Sequence, residues 1–586
     1  MPAPALAEID TIVFEMPVSA FEIDSARIAP FLFQDLAQLF SHTLPTITLT
    51  AGEVGQPRYL ASGELPARAL ATFSDDIHWI PGVHGTVNLT SLPEAGADRV
   101  QFAGLNPPVR AAHAATTSLR LASDAINYDE PGTHVSYAKG PYGADATRIS
   151  FSRTFSRRLT GALHAAFSNA DGQFIDLPYK GHKARARFDY RLFRNWRLAY
   201  LHFNTRNQTG IAVPFFPEEW PAITFAFHKE ERLYHALELA PSQRFFARVF
   251  YWQVKEELND LARKIRPRLR EAGTEAAWQK QREHLAISVH ARAGSEQIQG
   301  NAIRPATRWY GNLAATFSLK LLPRFWLQSE AHYQHKKDWP AGSAFLVSGL
   351  WQYRAHTHFW LQLRRQRLPP ALAEKESQFI YLSSNPQLQA VALLHLEGGF
   401  AWRRSKWDLQ AQLGNSRWQN GLLFSAYSAA GPAYLRNAQR SAQALAARWQ
   451  IRWQPATNFA VHVLGAQNLQ KLPPHYWFWF QPEGAARFFI ETRRAFFKKE
   501  LEAAPRFAVR YLGERTSPVF SEPSVLPQFK TLPAVAVLDF HLRLRYGSGA
   551  MLFSWENLLQ RKFELRDGVP DPGLVLRWGF QWTFHN

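Results

Sequence analysis

The end of the chain alternates. In "LVLRWGFQWTF", residues 574 to 584, Leu574, Leu576, Trp578, Phe580, Trp582 and Phe584 share one parity, and Val575, Arg577, Gly579, Gln581 and Thr583 share the other. Side chains of an extended strand point to opposite faces in turn, so this segment has one strongly apolar face and one mostly polar face. Such a strand lies with its apolar face on a soluble core, or with that face in lipid and the other in the lumen of a barrel. One strand cannot decide between the two.

The pattern recurs. In "KARARFDYRL", Ala184, Ala186, Phe188, Tyr190 and Leu192 oppose Lys183, Arg185, Arg187, Asp189 and Arg191. In "ARWQIRWQ", Trp449, Ile451 and Trp453 oppose Arg448, Gln450, Arg452 and Gln454. In "VLDFHLRLRY", Leu538, Phe540, Leu542, Leu544 and Tyr546 oppose Asp539, His541, Arg543 and Arg545, and in "HFWLQLRRQ" Phe359, Leu361 and Leu363 oppose Gln362 and Arg364. Short turns such as 193–195 and 547–549 alternate with long polar connections such as 204–222, 366–390 and 514–533. Alternation of this kind, with Trp or Phe on so many apolar faces, marks an up-and-down antiparallel transmembrane β-barrel. At roughly ten residues per spanning strand, residues 114–586 hold 16 to 22 strands, with 22 preferred. Two stretches, 256–284 and 484–504, read as helical or irregular outer loops. "YWFWF" at 476–480 reads as an aromatic-belt strand end or a segment under a loop.

Composition narrows the function. The chain has no cysteine, which excludes disulfides, thiol catalysis and Cys-ligated metal. No apolar run reaches the ~18 residues of a spanning helix. The formal charge is +19, which suggests anionic partners. The basic residues alternate with lipid-type aromatics instead of clustering beside stacking residues, so nucleic acid is not expected. Nucleophile elbows, zinc-protease motifs and phosphate loops are all missing, and no enzyme is expected. The 21 histidines show no three-ligand spacing; neither a metal nor another cofactor is expected. The start, "MPAPALAEIDTIVF", lacks the basic and apolar regions of a secretory signal, and the expectation is that such a signal preceded it.

Residues 1–113 differ, with more Gly, Pro and Ala. "APFLFQDLAQLFSHTLPTITL" reads as an amphipathic helix and a short strand, followed by strand-like pieces. The order of a short peptide (1–16), a small α/β domain (17–113) and a large barrel (114–586) ending in aromatics resembles the TonB-dependent outer-membrane receptors. The closing hairpin carries the resemblance most fully, through Asn557-Leu558-Leu559, Lys562-Phe563, the Gly568-Val569-Pro570 loop and the terminal Trp582 and Phe584. A second match is an outer-loop pattern on Arg367, Pro369, Glu374, Asn385, Pro386, Leu388, Glu397 and Gly399. "DTIVF" resembles the box that adds as a strand to the energising partner TonB, a mode that rests on backbone bonds and so makes loose demands on sequence. Within the plug-like domain, Ala61-Ser62-Gly63 stands where the family has Ile-Arg-Gly, and Asp75-Asp76 where it has Asp-Gly. The arginine that locks plug to barrel is thus missing, and the plug is reduced.

The resemblance implies a monomeric receptor in the outer membrane, among lipid and lipopolysaccharide, importing a small solute. It implies TonB contact at Asp10, Thr11, Ile12, Val13 and Phe14, and solute contact by the plug's outward loops at Gln56, Arg58, Tyr59, His78, Trp79 and His84. The inward basic residues Arg185, Arg187, Arg191, Arg364, Arg452, Arg543, Arg545 and Arg577 would favour an anionic solute in the lumen or anchor the plug through carboxylates. A share of the positive charge would meet lipopolysaccharide phosphates at the outer rim. Two other readings stay open: a passive channel with a vestigial plug, and a surface-binding protein without transport.

Overall fold

The computed structural model describes residues 20 to 585, less 24–27, 29–34, 51–57, 66–68, 94–98, 104–116, 123–130, 173–177, 211–226, 260–263, 376–384, 425–434, 472–480, 520–527 and a few one- or two-residue breaks. The segment at 10–14, Gln56, His84 and "YWFWF" lie outside the described residues.

Twenty-two antiparallel strands close into one barrel, from Gly132–Lys139 to Val575–His585. The short pieces Lys264–Ile265 and Arg494–Phe496 only extend neighbouring pairings. Closure is made by the last strand on the first, with Trp578 opposite Lys139 and His585 opposite Gly132. A closed ladder leaves no edge, so every backbone group at membrane depth is paired within the sheet.

On the described strands the two parities face opposite sides of the wall. Leu576, Trp578, Phe580, Trp582 and Phe584 are exposed on the outside, while Arg577 is buried inside against Glu556. Phe359, Leu361, Leu363, Ile451 and Phe507 are likewise on the outside. Aromatics meet across strands there, as in the stacked Trp407–Trp453 and Trp351–Phe359 pairs. Such cross-strand pairs stabilise register as well as covering the sheet.

Two expectations are corrected. The described residues of 256–284 and 484–504 do not form helical lids. Arg268–Arg282 and Gly484–Thr492 are barrel strands, and the strand Leu501–Leu512 follows a turn at 497–499. Their Ala, Glu, Leu, Arg and Lys favour a helix locally, but inward Leu269, Glu271 and Glu275 alternate with outward Arg268, Arg270 and Trp278. Pairing on both sides decides the conformation over propensity. The barrel also begins later than residue 114: Thr117–Ala122 belongs to the inner domain's sheet, and the first barrel strand starts at Gly132.

The inner domain sits within the wall. Its sheet runs in the order Ala20–Ile23, Arg99–Ala103, Thr117–Ala122, Leu70–Ser74, Ile77–His78, with one parallel pair, 70–74 on 117–122. Helix Leu36–Thr43 is capped by the Asp35 carboxylate, which accepts from the Gln38 amide. That cap satisfies an amide the first turn would leave orphaned. Phe21, Leu36, Phe40, Trp79, Val100 and Phe102 build a core continuous with the wall residues Phe203, Tyr234, Trp252 and Leu269.

Both ends of the barrel chain, Gly132 and His585, lie at the end that carries the short turns, such as 547–548 and 355–356. The long connections, such as 211–226 and 369–390, lie at the opposite end. In outer-membrane barrels short turns face the periplasm and long loops the outside.

Candidate functional site: the plug and the outer cavities

The wall holds the plug through its arginines. A guanidinium offers five donors in a fixed fork, so it can bind a wall carboxylate and a plug carbonyl at once. Arg232 donates to Glu230 beside it and to the Ile80 carbonyl of the plug. Arg487 donates to the Leu44 carbonyl at 3.0 Å, and Asn207 reaches the Thr90 carbonyl at 3.2 Å. Arg185, one of the inward arginines, forms an ion pair with Asp75 of the plug.

The densest of these contacts surrounds Glu64. The wall's Arg448 pairs with Glu397 on its own side, lies 3.3 Å from the plug's Glu64, and donates to the Ser62 carbonyl at 3.4 Å. His395 places Nε2 3.9 Å from Glu64 and 3.7 Å from Glu397, and its Nδ1 meets the Ser416 hydroxyl at 2.9 Å. Gly63 makes the approach possible. Its φ is +72°, and a Cβ there would stand 2.7 Å from that of Ala446. Burial pushes the Glu64 carboxyl above its ordinary value, against the pull of Arg448. The plug thus carries an acid two residues beyond the position of the motif's missing arginine, and the arginine of the pair stands on the wall. Sequence reading missed this because neither Glu64 nor Arg448 stands in a motif position.

Two groups of buried ligand-type residues come together among the described residues: Glu64, His395 and Glu397, and His42, Asp539 and His541. An arginine already supplies positive charge in each, Arg448 in the first and Arg510 in the second. Burial, with His541 next in effect, pushes the His42 imidazole well below its ordinary value.

Two cavities open between plug and wall at the outer end. The larger, about 220 Å³, is bounded on the plug side by His78, Ile80 and Gly82 and on the wall side by Glu296, Arg308 and Trp339, among others. The Arg308 guanidinium lies 4.3 Å from the Trp339 ring centre and the Lys375 ammonium 4.6 Å from it, while Lys336 pairs with Glu296 at 2.6 Å. A cation over an indole face is favourable and holds both groups in place. The smaller, about 150 Å³, lies beside helix 36–43, between Arg58 of the plug and Arg487, Arg510 and Arg577 of the wall, with Glu556 and Asp571 as acids.

The candidate solute residues thus divide. His78 lines the larger cavity and Arg58 the smaller. Burial and Arg292 hold the His78 imidazole well below its ordinary value, so it is neutral near pH 7. Tyr59 is half-buried, and burial pushes its phenol up, so it stays protonated. Trp79 is fully buried, edge-on to Phe203 and Trp252 and beneath Arg232. In this state it packs plug to wall. Replacing it by alanine is expected to cost about 3–5 kcal/mol of docking, read as earlier proteolysis of the plug in a urea series.

The inward arginines also divide. Arg364 and Arg577 are buried in the lumen and Arg187 pairs with Asp189, Arg191 and Arg543 are partly exposed, and Arg452 lines a small cavity of about 60 Å³ at the short-turn end. Arg545 is exposed beside the 547–548 turn.

Neither a family sequence model nor a curated protein sequence matches the chain. Solved structures do match its fold. The copper transporter OprC aligns with a TM-score of 0.78 at 12% identity, covering 97% of this chain and 98% of that one. The siderophore receptor PirA from Acinetobacter baumannii aligns at 0.77 and 9% identity, covering 97% and 98%. A mutant ferric enterobactin receptor from Pseudomonas aeruginosa, bound to enterobactin, aligns at 0.76 and 10% identity, covering 97% and 99%. With its closed 22-stranded barrel, its interior plug and these neighbours, the chain has the fold of the TonB-dependent outer-membrane receptors.

Proposed function

We propose that the protein captures a small solute from outside the cell and passes it to the periplasm, with energy delivered by TonB at residues 10–14. The observation that carries this reading is the position of the two outer cavities. Each is walled partly by plug and partly by barrel, so displacement of the plug dismantles the binding surface and opens a path. Binding and release then share one moving part, as conversion of work into transport requires. The basic lining of the smaller cavity and the cation–indole stack of the larger favour a solute with anionic oxygens and a flat ring. Siderophore and copper receptors among the structural neighbours support a metal complex as cargo.

Deleting residues 8–16 tests the energy step. The shortened protein is expected to bind its solute normally but to lose uptake that depends on the proton gradient. Uptake that persists without the peptide would overturn the reading, and a large steady conductance of the intact protein would favour a passive channel.

A further inference from the structure

Two histidines stand side by side on the outward face of the wall, and the transport reading uses neither. His202, on strand Arg197–Gly210, is the direct cross-strand partner of His235, on strand Phe227–Ser242. Cross-strand partners share a face. This parity is the outer one, because the flanking Leu201, Phe203, Tyr234 and Ala236 are buried toward the plug. The two ring centres are 4.7 Å apart, and the two Nδ1 atoms are 3.3 Å apart. The Tyr200 hydroxyl comes to 2.9 Å from the His235 Nδ1. Two polar atoms thus gather around a single ring nitrogen.

Hydrogen bonding alone leaves this arrangement oversubscribed. A neutral imidazole Nδ1 carries either one proton or one lone pair. The His235 Nδ1 can therefore complete only one of its two contacts, the one with Tyr200 or the one with His202. A metal ion resolves the conflict, because it takes the lone pairs of both nitrogens at once while each ring keeps its proton on Nε2. The spacing suits this role. Imidazole nitrogens sit about 2.0–2.1 Å from zinc, and two of them at tetrahedral corners are then about 3.3 Å apart. The two Nδ1 atoms already have that separation.

The surroundings favour a cation. On the same face Ala186 and Tyr251 flank the two histidines in their row, Asn204 and Leu233 stand in the row above, and Tyr200 and Leu237 in the row below. None of these carries a charge, whereas an arginine lies within each of the buried Glu64 and His42 groups. The polar surface begins at Asn204 and continues to Arg206 and Glu231, which gives an aqueous ion access. We propose that His202 and His235 hold one divalent transition-metal ion between their Nδ1 atoms, with water and the Tyr200 hydroxyl at the remaining positions. Imidazole suits zinc, nickel(II) and copper(II), and of these copper(II) binds most tightly. The two ligands are 33 residues apart in the chain and meet only through the ladder, so the ion ties two wall strands together and binds the folded barrel alone. The assignment concerns the outer surface and does not depend on transport.

The test uses the full chain without a histidine tag, refolded in detergent, stripped with chelator and titrated with copper(II) chloride. Electron paramagnetic resonance is expected to show two imidazole nitrogens on the first equivalent bound. The H202Q/H235Q variant is expected to bind that equivalent about tenfold or more weakly, and the H202Q variant to show at most one nitrogen. The H356Q/H358Q variant, which removes two other neighbouring histidines, should match the parent. Undiminished binding by H202Q/H235Q, a single nitrogen in the parent, or loss of the site in H356Q/H358Q each overturns the proposal. If H202Q/H235Q fails to form a heat-modifiable barrel, the nitrogen count of the parent against H202Q still decides.

Discussion

Replacing Arg448 by alanine is expected to loosen the plug by about 3–5 kcal/mol, the cost of stranding a buried charge by removing its partner. Glu64 and Glu397 would remain at zero exposure with His395 as their nearest titratable neighbour. The measurement is single-channel conductance together with protease access to residues 61–65. The parent protein should be closed and protected, and the variant leaky and cut. Conductance and cleavage indistinguishable from the parent would remove Glu64–Arg448 from any part in holding the plug. The pH dependence follows from the raised carboxyl of Glu64. A group that keeps its proton more readily when docked favours docking in acid, and that contribution is lost as pH rises through its docked pKa, above the ordinary 4.5. The E64Q variant should keep the acid-side behaviour at every pH.

The second large effect lies on the outer surface. Leu361 is 60% exposed on strand Thr357–Leu368, between Phe359 and Leu363 on the same face. Arginine there is expected to cost about 2–4 kcal/mol near the bilayer midplane, read as a lower guanidinium midpoint for refolding into lipid vesicles. Alanine at the same position should cost far less, since lipid tails fill the space a shorter side chain leaves. If arginine and alanine behave alike, this face does not meet hydrocarbon.

Both effects bear on what could be read from sequence. The wall was legible because lipid on one side and lumen on the other impose a period of two on every strand, and no tertiary detail can hide it. Where helix-forming residues carried the same period, as in 268–282, composition misled and pairing decided. The plug was legible as a domain but not in its attachments. Arg232, Arg448 and Arg487 bond to the carbonyls of Ile80, Ser62 and Leu44, and a carbonyl leaves no trace in the identity of the residue that bears it. Glu64 became informative only when the fold brought residues 395, 397 and 448 around it. Of the candidate solute residues, His78 and Arg58 face cavities, whereas Trp79 is fully buried between plug and wall. A tryptophan in an outward loop suits either a ligand or a neighbouring wall, and sequence alone does not distinguish them.

The plug sheet begins with Ala20–Ile23, a four-residue border strand that among the described residues pairs on one side only, from Ala20 on Ala103 to Ile23 on Val100. A tug on the chain ahead of residue 20 therefore loads the Ala20 rung first and each rung after it in turn. Detachment by successive rungs needs far less force than shearing all of them together. A motor could therefore start remodelling the interior with modest tension, while the ties higher in the wall stay loaded until the last.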